Sequence, residues 1–174
     1  MPIADSHREQ GPSPSIGAYR FSMTKYFAGI GSRKTPQNIL ELITTIAQVL
    51  ATKGYTLRSG GADGADKAFE SGAILKEILR PKHATPQAIQ LAMSMHPNPN
   101  ACNDYVRKLH GRNAQIILGP NLDTIVDFVV CYSKNENAGG TSLGIKIARQ
   151  NSIPVFNIFN PHELLALKKE HLNV

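Results

Sequence analysis

Two kinds of hydrophobic pattern alternate along the chain: short apolar runs that end in glycine or polar residues, and longer stretches with an apolar residue every three or four positions. Tyr26-Phe27-Ala28-Gly29-Ile30-Gly31 is the first short run and predicts a buried strand of a parallel sheet. Ile39, Ile43, Ile46, Ala47 and Leu50 then recur at helical spacing. Thr35 is placed as the N-cap of that helix, Pro36 as its first residue and Gly54 as its stop. Tyr55-Thr56-Leu57-Arg58-Ser59 predicts a second strand, and Ala65 to Glu70 a second helix. Residues 74–79 fit either a continuation of that helix or a third strand before Pro81. Thr85-Pro86 caps another helix with Ala88, Ile89, Ala92 and Met95 on its apolar face, and the segment 96–100, with two prolines, breaks it. A helix through Tyr105, Val106 and Leu109 follows. His110-Gly111-Arg112-Asn113 separates it from a further helical run over 114–118, and Gly119-Pro120-Asn121 makes a turn.

Residues 125–132 give the clearest strand, because β-branched and aromatic residues dominate them. A polar loop covers 133–138. Gly139-Gly140-Thr141-Ser142 opens a helix carrying Leu143, Ile147 and Ala148, residues 153–158 form the last core strand, and 162–172 a terminal helix with Leu164, Leu165, Leu167 and Leu172 as its apolar residues. This β-α-β-loop-α order predicts a single α/β domain of Rossmann-like type, with a mainly parallel sheet and helices on both faces. The domain is placed at 25–174. Residues 1–24, rich in Pro, Gly and Ser and without apolar periodicity, are expected to be a flexible arm; Met23 is an alternative start of the folded unit, with the residues before it an extension.

The length of 174 residues suits one domain with a real core. The net charge of +6 points to an anionic partner: nucleic acid, a nucleotide or a phosphorylated metabolite. No apolar run approaches the ~20 residues that span a bilayer, so no membrane partner is expected. Cys102 and Cys131 are too few and too isolated for a disulfide framework or a zinc site, and the six histidines show no paired metal spacing. No metal is therefore expected, and the setting is read as reducing and cytoplasmic.

Candidate chemistry concentrates in two glycine loops. The stretch Ser59-Gly60-Gly61-Ala62-Asp63-Gly64-Ala65-Asp66 joins a strand to a helix and reads as a phosphate-binding loop, where free amide groups and a positive helix end face an anion. The alternative is a tight turn that binds nothing. Gly31-Ser32-Arg33 falls at the same sheet edge, and Gly139-Gly140-Thr141-Ser142 repeats the strand–glycine–helix logic. Arg33 is read as a phosphate ligand. Asp63 either bonds a ribose hydroxyl or stabilises the turn, and Asp66 suits a ligand role and a helix-dipole role equally. Arg112-Asn113 pairs a cation with an amide in one short segment, suited to phosphate and to base or sugar. His110 is weighed as a general acid or base, and Tyr105, Tyr132 and Phe159 as stacking platforms, against ordinary packing. The role of Arg58, a charge within a strand, stays open.

In order along the chain, Phe27-Ala28-Gly29-Ile30-Gly31-Ser32-Arg33, the Ser59 to Asp66 loop, Arg112-Asn113 and Gly139-Gly140-Thr141-Ser142 resemble the Rossmann core of the DNA-processing protein A (Smf) family. That family sits in the SLOG superfamily with the "lonely guy" phosphoribohydrolases and molybdenum-cofactor carrier proteins. The resemblance implies single-stranded DNA binding, self-association into a homo-oligomer, and a site at Arg33, Ser59, Gly60, Gly61, Asp66, Arg112 and Asn113. The chain departs from the pattern where Ala68-Phe69-Glu70 stands in place of a histidine, and it has no room for the family's flanking domains, which counts against recombinase loading. For the phosphoribohydrolase branch the resemblance gives Arg112 a catalytic role, but Ser142-Leu143-Gly144 offers no carboxylate after Thr141; Asp63, Asp66, Glu70 or Glu136 would have to supply it. Three functions stay open: a nucleotide- or single-stranded-nucleic-acid-binding module, a nucleoside monophosphate N-glycosidase, and a carrier or sensor of a phosphorylated cofactor or signalling nucleotide. A bound nucleotide or phosphorylated ligand is compatible with each.

Overall fold

The computed structural model describes residues 23–174, so most of the expected N-terminal arm lies outside the described residues. Strands β1 (Lys25–Gly31), β2 (Tyr55–Ser59), β3 (Lys76–Ile78), β4 (Phe128–Tyr132) and β5 (Val155–Asn157) form one sheet in the order β3-β2-β1-β4-β5, and every neighbouring pair is parallel. Six helices cross over between or follow them: α1 (Gln37–Thr52), α2 (Ala65–Gly72), α3 (Pro86–Met95), α4 (Asp104–Leu118), α5 (Thr141–Gln150) and α6 (Pro161–Leu167). Alternation along the strands divides the core. Phe27, Leu57, Phe128 and Val130 face α1, α2 and α6, while Ala28, Val129 and Cys131 face α3, α4 and α5. The Rossmann-like α/β expectation therefore holds. No described helix is long and apolar enough to cross a membrane.

Several boundaries differ from the sequence expectation for physical reasons. Thr35 does not cap α1: its hydroxyl donates to Ser32 O at 2.6 Å, and Pro36 occupies the cap position without a side-chain bond. Thr85 does cap α3, accepting from Ala88 N–H at 3.2 Å. Residues 74–79 resolve as a short edge strand, β3, rather than more helix. The expected break at His110-Gly111-Arg112-Asn113 is absent, and α4 runs through it without interruption. Gly111 is there because α3 lies close: a Cβ at this position would meet Ile89 Cγ1 at 2.8 Å. The β4 strand begins at Phe128, three residues late, because Asp127 turns its carboxylate onto Tyr26 N–H at 2.9 Å. The last strand shortens to three residues, and the terminal helix passes into a π turn over Lys168–Leu172, where Leu167 and Leu172 are buried but Leu165 is exposed.

Arg58 is settled by its surroundings. It is 1% exposed, pairs through Nε with Glu77 at 2.9 Å, donates from Nη1 to Thr124 O, and lies 3.9 Å from the centre of the Tyr26 ring. Burying a charge is tolerable only with such partners. This guanidinium ties β2 to β3 and to the segment before β4, so it is a structural cation. Arg58→Met, which keeps the length but removes the donors, is expected to lower the unfolding free energy in urea by about 3 kcal/mol. A change below about 0.5 kcal/mol would show that the buried network is dispensable.

Candidate functional site

An open cleft of about 940 Å³ lies beyond the carboxyl ends of β1 and β4. The chain leaves β1 toward β2 on one side and reaches β4 on the other, so this is the point where strand order reverses and where open α/β sheets place their ligands. One wall is the loop after β1, from Gly31 to Lys34. The opposite wall is the loop after β4, with Lys134, Asn135 and the start of α5 at Gly139, Gly140 and Thr141; α4 forms the floor with His110, Arg112 and Asn113.

The first glycine loop does not face this cleft in the manner expected. Ser59, Gly60 and Gly61 are absent from its lining. Ser59 donates its hydroxyl to Gly29 O at 2.6 Å, deep in the sheet. Gly60 O accepts from Arg112 Nη1 at 2.8 Å, and Gly61 O accepts from Arg80 Nη1 at 3.0 Å. A Cβ at position 60 or 61 would lie 2.6 Å from one of these guanidinium nitrogens, so the arginine would have to withdraw from the backbone, and Gly61 also has a φ of +66° that disfavours any side chain. Two amides of the stretch are also engaged: Ala65 N–H, the first of α2, donates to Ser32 O at 3.2 Å, and the loop amide Ala62 N–H to Asp66 Oδ2 at 3.3 Å. The carbonyls of Gly60 and Gly61 and the amides of Ala62 and Ala65 in the expected phosphate loop are thus occupied by the protein's own groups.

Arg112 is 7% exposed and belongs to a helix rather than to a short loop segment. Its Nη1 also donates to Leu79 O at 3.0 Å, and its Nε donates to Asn113 Oδ1 at 3.1 Å. Asn113 in turn donates to Gly140 O at 3.1 Å. The pair therefore staples both glycine loops to α4 while still lining the cleft. Burial pulls the Arg112 guanidinium below its ordinary value, partly offset by the nearby Asp66 carboxylate. Asp66 is the one carboxylate lining the cleft among the described residues. Burial pushes it up to about 6, against the pull of the Ala62 amide and Arg112.

The second glycine loop is different. Ser142 is turned back, its hydroxyl donating to Gly139 O at 2.7 Å, and it does not line the cleft. Among the described residues, however, no acceptor meets the N–H groups of Gly140 and Thr141. An anion-compatible helix end therefore opens into the cleft at α5. Arg33, Lys34 and Lys134 line the same cleft, exposed and without an ion pair among the described residues.

Asp63 is exposed and lines a separate groove beside α1. Glu136 is also outside the cleft, bound to Arg149 at 2.7 Å and to Asn157 Nδ2 at 3.1 Å, and the Arg149 hydrogen bond holds it below the ordinary carboxylate range. Neither is placed to act on a ligand in the cleft. Tyr132 lines the cleft but is 5% exposed and packs edge-on against Phe159, and Tyr105 lies outside it, so neither offers an open stacking face there. Lys34 follows Arg33 in the loop after β1, and Lys134 and Asn135 lie in the polar loop after the strongest strand, where no sequence pattern marks them as ligands. His110 does not stand alone. His96 and His110 meet in the cleft wall, and Cys102 joins them. Burial, then His96 and Arg112, lower the basicity of His110.

No family model matches the sequence, and no curated protein matches it. A solved structure does. It is DNA processing protein A from Helicobacter pylori, described for its single-stranded DNA binding mode. The superposition gives a TM-score of 0.54 at 18% identity, over 76% of this chain and 64% of that one. The shared feature is the fold, and this chain accounts for less than two thirds of the neighbour's length.

Asp66 takes up a proton more readily in the folded than in the unfolded chain. Its protonation therefore favours the folded state below about pH 4, and that contribution is lost as pH rises through about 6. Asp66→Asn is expected to raise the unfolding free energy relative to the parent at pH 7.5 by on the order of 2–3 kcal/mol, and by little at pH 4. Paired urea titrations at the two pH values check this; an equal effect at both would place the carboxylate in an unperturbed setting.

Proposed function

We propose that this protein binds single-stranded nucleic acid or a nucleotide by gripping phosphate in the cleft between β1 and β4. The observation that carries the reading is the open start of α5, with unpartnered Gly140 and Thr141 amides, set among Arg33, Lys34 and Lys134 at the switch point of the sheet. Phosphate is the chemistry such a constellation recognises: oriented N–H groups, a positive helix end and cations that approach from solvent. The excess of positive charge on the whole chain acts in the same direction by drawing polyanions toward the surface. The fold shared with a single-stranded-DNA-binding protein adds support. Self-association, implied by the same resemblance, belongs to this reading and is checked by light scattering with and without oligonucleotide.

Fluorescence anisotropy with a labelled oligothymidylate, titrated at several salt concentrations, tests the reading. Affinity is expected to fall steeply with salt. Arg33→Ala with Lys134→Ala is expected to weaken binding at least tenfold and to flatten the log–log salt slope by about 1.4, roughly 0.7 for each lost phosphate contact on a single strand. Unchanged affinity in that double variant places the binding surface elsewhere. Arg112→Ala is a poorer probe, because it orphans Gly60 O and Leu79 O and destabilises the fold.

A second reading rests on Asp66. A cleft carboxylate that titrates near 6 is suited to moving a proton at neutral pH, as hydrolysis of a nucleotide N-glycosidic bond requires. Incubation with a panel of nucleoside 5′-monophosphates should then release free base, with loss of that activity in Asp66→Asn. A carrier of a phosphorylated cofactor would instead retain its ligand intact, as seen by mass spectrometry of the purified protein.

A further inference from the structure

We propose that His96, Cys102 and His110 form a zinc site in the wall of the cleft, with three protein ligands and one coordination position open toward the cleft. The donor atoms all lie within 4.8 Å of one another. They come from a short stretch that doubles back on itself. His96 ends α3, Cys102 closes a 3₁₀ turn over Pro99–Ala101, and His110 stands on α4.

One edge of the donor triangle already has the length a tetrahedral metal requires. Cys102 Sγ is 3.6 Å from His96 Nε2. A tetrahedral zinc with Zn–S of about 2.3 Å and Zn–N of about 2.0–2.1 Å has an S···N edge of about 3.6 Å. The two imidazole centroids lie 4.9 Å apart at 60°, so the rings are not stacked and their edges converge with the thiol. His110 Nδ1 is buried without a hydrogen-bond partner. A buried polar atom left in that state is costly, and a metal bond is one way to satisfy it. A thiol paired with one imidazole would account for Cys102 and His96 but not for the second imidazole. The loop that carries the sulfur is fixed from outside: Arg107 donates from Nε to Cys102 O at 3.1 Å and from Nη2 to Pro99 O at 2.9 Å. One thiolate and two imidazoles favour zinc over hard cations such as magnesium or calcium.

Loading has a defined proton balance. Asn98 N–H donates to His96 Nδ1 at 3.0 Å, so the neutral ring carries its proton on Nε2. Zinc taken at Nε2 moves that proton to Nδ1 and gives up the Asn98 contact, while Cys102 releases its thiol proton to solvent. His96 and His110 line the cleft, so the fourth position is directed at the space where a ligand oxygen or a water would sit.

The full-length protein, stripped with a chelator and dialysed against micromolar Zn²⁺, is expected to hold one zinc per chain by elemental analysis. Cys102→Ser and His110→Ala are expected to weaken zinc binding at least tenfold. Cobalt(II) substitution of the unaltered protein gives a second readout that needs no variant: a thiolate-to-cobalt charge-transfer band is expected. Absence of that band at cobalt saturation overturns the proposal, as does a zinc content that is near zero or unchanged in folded Cys102→Ser. Zinc binding is measured without nucleic acid, so failure of the oligonucleotide reading leaves this result intact, and the reverse holds.

Discussion

The arrangement of the cleft depends on one side chain reaching from α4 into the sheet edge. Arg112 donates to the carbonyls of Gly60 and Leu79, and its neighbour Asn113 holds Gly140. Those carbonyls belong to loops after β2, β3 and β4, which have no other covalent reason to keep a fixed distance. A buried guanidinium is costly unless it is hydrogen-bonded, and here two carbonyls take Nη1 and an amide oxygen takes Nε, three of its donors, while the Asp66 carboxylate offsets its charge. The outcome is a cation that cannot leave. It braces the loops and it sets the potential of the cleft floor.

This brace explains why two similar glycine loops have different capacities. After β2, glycine admits Arg112 and Arg80 against the backbone, Ser32 O accepts from the first amide of α2 at Ala65, and Asp66 from the loop amide of Ala62. That helix end is spent on holding the β1 loop, since Ser32 also donates its own N–H to Tyr132 O. After β4, positions 139 and 140 have open space around them, and nothing within 4 Å would meet an added Cβ. The α5 amides therefore remain available to solvent or to a ligand. Both loops share a composition; what separates them is which has a guanidinium behind it.

Much of the fold was legible because hydrophobic period and punctuation agree. β2 matches its predicted bounds, Gly54 ends α1 where expected, and Thr85 caps α3. The site was less legible, and Gly111 shows why. In sequence it looks like a helix breaker, which placed Arg112 and Asn113 in a loop; in space it lets α3 and α4 touch. That close packing decides the direction of both side chains, and no local signal records it. The candidates Asp63 and Glu136 failed for a related reason. Each sits next to a glycine or a loop in sequence, yet one faces a different groove and the other is consumed by Arg149 and Asn157. His96, Cys102 and His110 are separated by a helix end, a 3₁₀ turn and most of two helical turns, a spacing that matches no linear metal pattern.

The balance of charge in the cleft has a direction that follows from these placements. Arg33, Lys34, Arg112 and Lys134 line it, with Asp66 as the counter-charge among the described residues. Asp66 is held where burial favours its neutral form and is pushed up to about 6, so the negative member of the set is close to losing its charge near neutral pH. A mild fall in pH through 6 therefore removes the one internal competitor for the Arg112 charge and leaves the cleft more positive. Under the proposed phosphate binding, the anion would act on the same equilibrium by linkage: it would raise the affinity of Asp66 for its proton, and a protonated Asp66 would raise the affinity for the anion. The carboxylate and the guanidinium are thus electrostatically coupled in the cleft, and both are tied to the loop after β2, one through the Ala62 amide and the other through the Gly60 carbonyl.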